Sequence, residues 1–188
     1  MAVSASAVHR PQTPVMPDLV CTLRTSQAMY KIGQVPDLQV RIKNNSNKEI
    51  VLIGSLDGSE EKTRMPWCYF TIQKPIPDTV PFWVCGTLNP LRAEDFVTVR
   101  PGELFNPYRQ IDEYGFFGAW EIAEQETFKN PGIYTIQFHY STKSANIDDF
   151  IGNSYWHTKA DSAQQKELFT RVPKVDLESN TIEIRIVE

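Results

Sequence analysis

The stretch Asn130-Pro-Gly-Ile-Tyr-Thr-Ile-Gln-Phe-His-Tyr140 decides the fold class of this chain. After the Asn-Pro-Gly turn signal, Tyr134, Ile136, Phe138 and Tyr140 alternate with polar residues. Because successive side chains of a strand point to opposite faces, this pattern predicts a strand with one buried face and one solvent-facing face. Such a strand needs a second layer to cover its apolar side.

The same kind of pattern recurs along the chain. Residues 19–24, 38–43 and 182–186 alternate in the same way, and residues 50–53 and 96–99 are short apolar runs of strand length. Asn-rich and Pro-Gly segments between these runs are turn signals. Since nothing supplies the repeated helices of a parallel sheet, the sequence predicts an all-β fold, a sandwich of antiparallel strands.

The length of 188 residues favours one domain. We expect residues 1–17 to form a flexible N-terminal arm and residues 18–188 to form a single β-sandwich domain. The segment from about 142 to 178 is too long for a simple connection, so it is interpreted as an insertion before the last strand.

Part of the insertion has a helical pattern. Asp161 is the predicted N-cap with Gln164 at the capping-box position, Leu168 and Val172 share one face, and Pro173 ends the helix.

Composition excludes several function classes. The net charge is -4, which argues against nucleic acid and anionic membranes as partners, because phosphate binding needs a clustered basic surface. No apolar run has the length of a membrane span, and the N-terminus has no signal-like apolar core. We therefore expect a cytoplasmic protein, with a secreted protein whose signal was removed as the open alternative.

Two of the three cysteines are predicted to be neighbours. Residues 67–72 and 82–85 flank a proline-rich turn and are interpreted as a hairpin. If that turn is centred between Ile76 and Pro77, Cys68 and Cys85 lie directly opposite each other, about 5 Å apart at Cα and within disulfide range. They form a bridge or paired thiols, or they are simply two small core residues.

The same hairpin is apolar on both faces. Trp67, Tyr69 and Phe82 lie on the face that a sandwich does not bury, so the insertion covers them or a partner does. Together with Trp120 and Trp156 they are the candidate binding residues, because flat aromatic rings suit a peptide or a sugar.

No catalytic, metal or cofactor site is predicted. His9, His139 and His157 are too scattered to assemble a metal site or a nucleophile-His-acid arrangement by spacing. No glycine-rich phosphate loop follows a strand, so no cofactor is expected.

Three segments carry a family resemblance. Residues Leu38–Asn45, Val97–Glu103 and Asn130–Tyr134 resemble bacterial immunoglobulin-like domains, and similar patterns occur in intracellular proteinase inhibitors and in non-catalytic domains that accompany deuterolysin-like metallopeptidases. The resemblance implies an immunoglobulin-like sandwich. It also implies that Tyr134 acts as a tyrosine corner, with its hydroxyl bonded to the backbone of the preceding turn.

These observations favour a non-catalytic protein-interaction module of unknown oligomeric state, of which a proteinase-inhibitor-like role is one form. The alternative is a carbohydrate-binding module that uses Trp67, Trp83, Trp120 or Trp156. An enzyme with an unrecognised site is the third possibility.

Overall fold

A computed structural model describes residues 18–54, 67–76, 91, 93–107, 127–150 and 159–188, with side chains from residue 163 onward in the last range. Within these residues the strands are β1 Leu19–Thr25, β2 Met29–Lys31, β3 Leu38–Asn44, β4 Ile50–Ile53, β5 Cys68–Gln73, β6 Phe96–Val99, β7 Leu104–Phe105, β8 Gly132–Ser141, β9 Asp176–Glu178 and β10 Ile182–Val187. One α-helix, α1 Lys159–Thr170, and the short 3-10 helices Ala93–Asp95 and Ile147–Asp149 complete the described elements. The fold is therefore all-β, as predicted.

The strands form three hydrogen-bonded groups. Strands β1, β3 and β7 form one sheet, β2, β10, β8 and β5 form a second with β9 also paired to β8, and β4 pairs with β6. Every pairing is antiparallel except that of β2 with β10. Inward residues of all three groups meet in one hydrophobic core, so the sheets cover each other's apolar faces.

Four strands from two of these groups form one long antiparallel pair with a break in the middle. One side of the pair is β3 followed by β4, and the other side is β6 followed by β7, so that β3 pairs with β7 and β4 pairs with β6. Residues 45–49 interrupt the first side and residues 100–103 interrupt the second at the same level. Asn44 lies at this break with a fully buried side chain. Its Nδ2 donates to the carbonyls of Lys48 (2.8 Å) and Val99 (2.9 Å), and its Oδ1 accepts from the backbone and hydroxyl of Ser46. The amide thus replaces the ladder bonds that the break removes.

The side chain of Asn44 should therefore carry much of the stability of this region. We expect Asn44→Ala to lower the free energy of unfolding by about 2 to 4 kcal/mol, because buried carbonyls lose their donors. Urea titration of this variant against Asn47→Ala, an exposed residue of the same turn, measures the difference. Equal stabilities of the two variants would show that water satisfies the break.

Tyrosine hydroxyls hold two further points of the framework. Tyr134 Oη donates to the carbonyl of Asn130 at 2.9 Å, which confirms the predicted tyrosine corner. Tyr140 Oη donates to the carbonyl of Ile53 at 3.0 Å and accepts from the Ile53 N–H at 2.9 Å. Since β8 and β4 belong to different sheets, the second contact ties one sheet to the other. Burial keeps the pKa of Tyr140 above its ordinary value, so the hydroxyl stays protonated.

Strand β8 begins at a glycine that no other residue can replace without strain. Gly132 has a φ of +140°, and a Cβ atom built there would lie 2.6 Å from Cβ of Pro75. The backbone conformation and the close approach both require glycine. Pro75, which follows β5, therefore packs directly on the start of β8.

Replacing this glycine tests both requirements together. We expect Gly132→Ala to cost about 2 kcal/mol or more, since backbone strain and a steric clash add. Gly102→Ala is the matched control, because Gly102 has a φ of +79° but open space around it, and should cost about 1 kcal/mol. Thermal unfolding of both variants gives the comparison, and a smaller loss at Gly132 would contradict it.

The insertion builds a second, smaller core. Val51 and Ile53 point away from the main core and pack with residues of the insertion, chiefly Phe150, Phe169 and Val172. This explains why all four residues of β4 are buried and apolar. Residues 176–178 rejoin the sheet as β9.

One part of the helix prediction was wrong. The helix begins at Lys159, so Asp161 lies inside it and is not the N-cap. The buried positions are Gln165 and Phe169, whereas Leu168 is half-buried. The helix does end before Pro173, as expected of a residue that cannot continue it.

Candidate functional site

The insertion covers the first of the predicted binding residues. The ring of Trp67 packs on Phe150 with centroids 4.8 Å apart, and Trp67 Nε1 donates to the carbonyl of Asp149 at 2.9 Å. Both partners belong to the insertion. For Trp67, coverage by the insertion is therefore what the structure shows.

Tyr69 lies on the outer face of β5, opposite His139 of β8. The two rings stack with centroids 4.6 Å apart and an interplanar angle of 12°. His139 therefore occupies one face of the tyrosine ring, and only the other face is left for a ligand.

Several predicted residues lie outside the described part of the chain. They are Phe82, Trp83, Cys85, Trp120, Trp156, His9 and His157. Cys68 is buried in β5, opposite Tyr140 of β8. The pairing of Cys68 with Cys85 and the hairpin that would create it stay predictions.

Cys21 is a core residue, as the sequence indicated. Burial raises the pKa of the Cys21 thiol to about 12, and the nearby Cys68 adds a smaller effect in the same direction. A thiol with such a pKa is neutral at neutral pH, as expected of a small apolar core residue.

The raised pKa makes Cys21 a source of alkaline instability. The thiol ionises at about 9 when unfolded and about 12 when folded, so its stabilising contribution is complete below pH 9 and disappears as the pH rises toward 12. Between pH 8 and about pH 10.5, ionisation of Cys21 in the unfolded chain should remove on the order of 1 to 2 kcal/mol. Urea titrations of the wild type and Cys21→Ala at both pH values measure this, and an unchanged gap between them would contradict it.

The outer face also holds a polar row that the sequence did not reveal. Thr71 Oγ1 and His139 Nε2 share a hydrogen bond of 2.8 Å, and His139 Nδ1 lies 3.7 Å from Glu178 Oε1. These residues come from β5, β8 and β9, so only the register of three strands brings them together. The prediction from sequence concerned spacing along the chain, and that spacing does not display this contact.

The row has a structural consequence. Thr71 bonds His139 across β5 and β8, and Gln137 Nε2 donates to Glu178 Oε2 at 3.4 Å across β8 and β9. Side chains therefore link three strands on this face of the sheet.

The strongest candidate surface is an exposed apolar row at the other end of the same face. Met29 of β2 and Ile133 of β8 both lie opposite Arg185 of β10, on the face away from the core. Met29 is 54% exposed and Ile133 is 48% exposed. Ile76 is also exposed and follows Pro75, which packs on Gly132. We call Met29, Arg185, Ile133 and Ile76 the outer row.

Sequence reasoning missed the outer row for a definite reason. Strand β2 is only three residues long, and Ile133 precedes the first residue of the alternation that identified β8. The signal was present as an isoleucine at a solvent-facing position. Its meaning depends on the pairing of β2 and β10, which the sequence does not display.

No family model, curated protein or solved structure matches the chain significantly. In the described ranges, no helix is long and apolar enough to cross a membrane. Nor does this part of the chain bring three His, Cys, Asp or Glu side chains together as a metal site.

Proposed function

We propose that this chain is a non-catalytic protein-interaction module with an immunoglobulin-like sandwich fold, and that a protein partner binds the outer row. The observation that carries the proposal is the register of Met29, Arg185 and Ile133 across three neighbouring strands. Exposed apolar side chains that cluster in this way mark interaction surfaces.

The chemistry of the outer row fits a protein partner. Methionine and arginine are enriched at protein interfaces, and Arg185 lies between two aliphatic side chains that can pack beside its stem. A symmetric dimer centred on the row would bring two copies of Arg185 together. A different protein that supplies a carboxylate to Arg185 therefore fits better.

The proteinase-inhibitor-like role is the form of this proposal that the family resemblance favours, and it predicts a proteinase as the partner. The carbohydrate alternative has less support, because Phe150 and His139 already pack on the rings of Trp67 and Tyr69. Titration of tryptophan fluorescence with oligosaccharides distinguishes the two, since a saturable change would favour the sugar.

A charge introduced into the outer row tests the proposal. Ile133→Glu should weaken binding of the partner about tenfold or more, because an apolar residue at the centre of an interface is replaced by a charge. The partner is first trapped by a photo-crosslinking amino acid at position 133 in the producing cell, and its affinity for each purified variant is then measured.

Leu104→Glu is the matched control, since Leu104 is 56% exposed and lies on the other sheet. It should retain full affinity. Equal losses in both variants, or no trapped protein at position 133, would contradict an interface at the outer row.

A further inference from the structure

The edges of the two sheets are bridged on one side of the molecule. Leu23 of β1 donates its N–H to Asn180 Oδ1 at 2.9 Å, and Asn180 Nδ2 donates to the carbonyl of Leu23 at 3.0 Å. Asn180 lies between β9 and β10, so its amide joins the edge of β1 to the second sheet. Beyond this bridge, toward the start of β1, a groove opens between the sheets.

The groove has a volume of about 460 Å³, within the range of ligand-binding sites. Its apolar lining includes Leu19, Ile50, Val175 and Leu177. It lies at the end of β8 near Ser141, which pairs with Asp176, whereas the outer row lies at Ile133. Eight residues of strand separate these levels by roughly 26 Å, so the groove is a separate surface.

One wall of the groove presents unused main-chain groups. Leu19 pairs with Asn44, whose own N–H and carbonyl bond to Glu103 and Gly102 on the far side. The N–H and carbonyl of Leu19 therefore point away from β3, toward the groove, as those of Leu23 point toward Asn180. Within the described residues no partner takes the Leu19 groups. An edge with free main-chain groups is what an added peptide strand binds.

Three carboxylates and two cations line the groove, but two of the carboxylates are paired with cations outside it. Glu49 is paired with Arg100 at 3.6 Å and Asp176 with Lys143 at 3.0 Å. The hydrogen bond from Lys143 is the main reason that the pKa of Asp176 lies below its ordinary value.

Lys48, Arg171 and Asp18 also line the groove, and in the described part of the chain none of them has an ion-pair partner. Two unpaired cations therefore face one unpaired carboxylate. A ligand that brings a carboxylate of its own completes this set.

We propose that this groove binds an extended peptide segment of another protein, which adds as a strand at Leu19, places an apolar side chain on the groove floor and sets a carboxylate between Lys48 and Arg171. The main-chain groups favour a peptide over a small molecule, and the unpaired cations favour an acidic one. This binding site is additional to the outer row.

The test begins with the purified full chain and a displayed library of random peptides of about twelve residues. Selected peptides should alternate apolar residues with Asp or Glu, because alternate side chains of a strand face the groove. A synthetic copy of the best peptide should bind, and a copy with alternate amides N-methylated should bind about tenfold more weakly, since it cannot pair as a strand. Binding should also slow hydrogen exchange at the amide of Leu19.

Variants of the chain locate the site. Lys48→Glu combined with Arg171→Glu should weaken the peptide about tenfold, whereas Lys166→Glu, an exposed cation on α1 outside the groove, should not. Three outcomes would overturn the proposal that the groove binds an acidic peptide strand: no enrichment of peptides, selection of basic peptides, or equal binding of the methylated copy. A partner trapped at Ile133 would still support the proposed function in that case, so the two proposals fail separately.

Discussion

The buried amide of Asn44 is the constraint on which the rest of the structure depends. It makes four side-chain hydrogen bonds at the point where two paired strands are interrupted together. Without it, carbonyls at the break would be buried without donors, which costs about 1 to 3 kcal/mol for each group. Since β4 continues from this break, Asn44 also sets the position at which Ile53 meets Tyr140 of the other sheet.

The placement of β4 explains the insertion. A strand with two apolar faces needs cover on both sides, and the main core covers only the face of Ile50 and Leu52. Phe150 and Phe169 of the insertion cover the other face, at Val51 and Ile53. Trp67 joins this second core through Phe150, so the same segment that completes the fold also packs on one of the predicted aromatic binding residues.

The sequence predicted what depends on local pattern and missed what depends on pairing. Strands with a clear alternation, such as β3 and β8, were located to within a residue or two, because one face of each is buried. The strands β2, β7 and β9 have at most three residues each, too few to show a period. The Thr71–His139 contact and the outer row need the register of distant strands, which residue spacing along the chain does not contain.

Side-chain amides bond the open edges of β1 and β2 at some residues and leave the edge of β1 free at Leu19. An edge with free N–H and carbonyl groups invites pairing with other chains, and proteins block such edges. Gln34 blocks β2, since its Oε1 accepts from the N–H of Lys31 at 2.7 Å while its own N–H bonds the Lys31 carbonyl. Asn180 blocks β1 at Leu23 in the same manner. Among the described residues no such amide bonds Leu19, and its open groups face a groove where Lys48 and Arg171 have no ion-pair partner, so an acidic strand fits there better than a basic one.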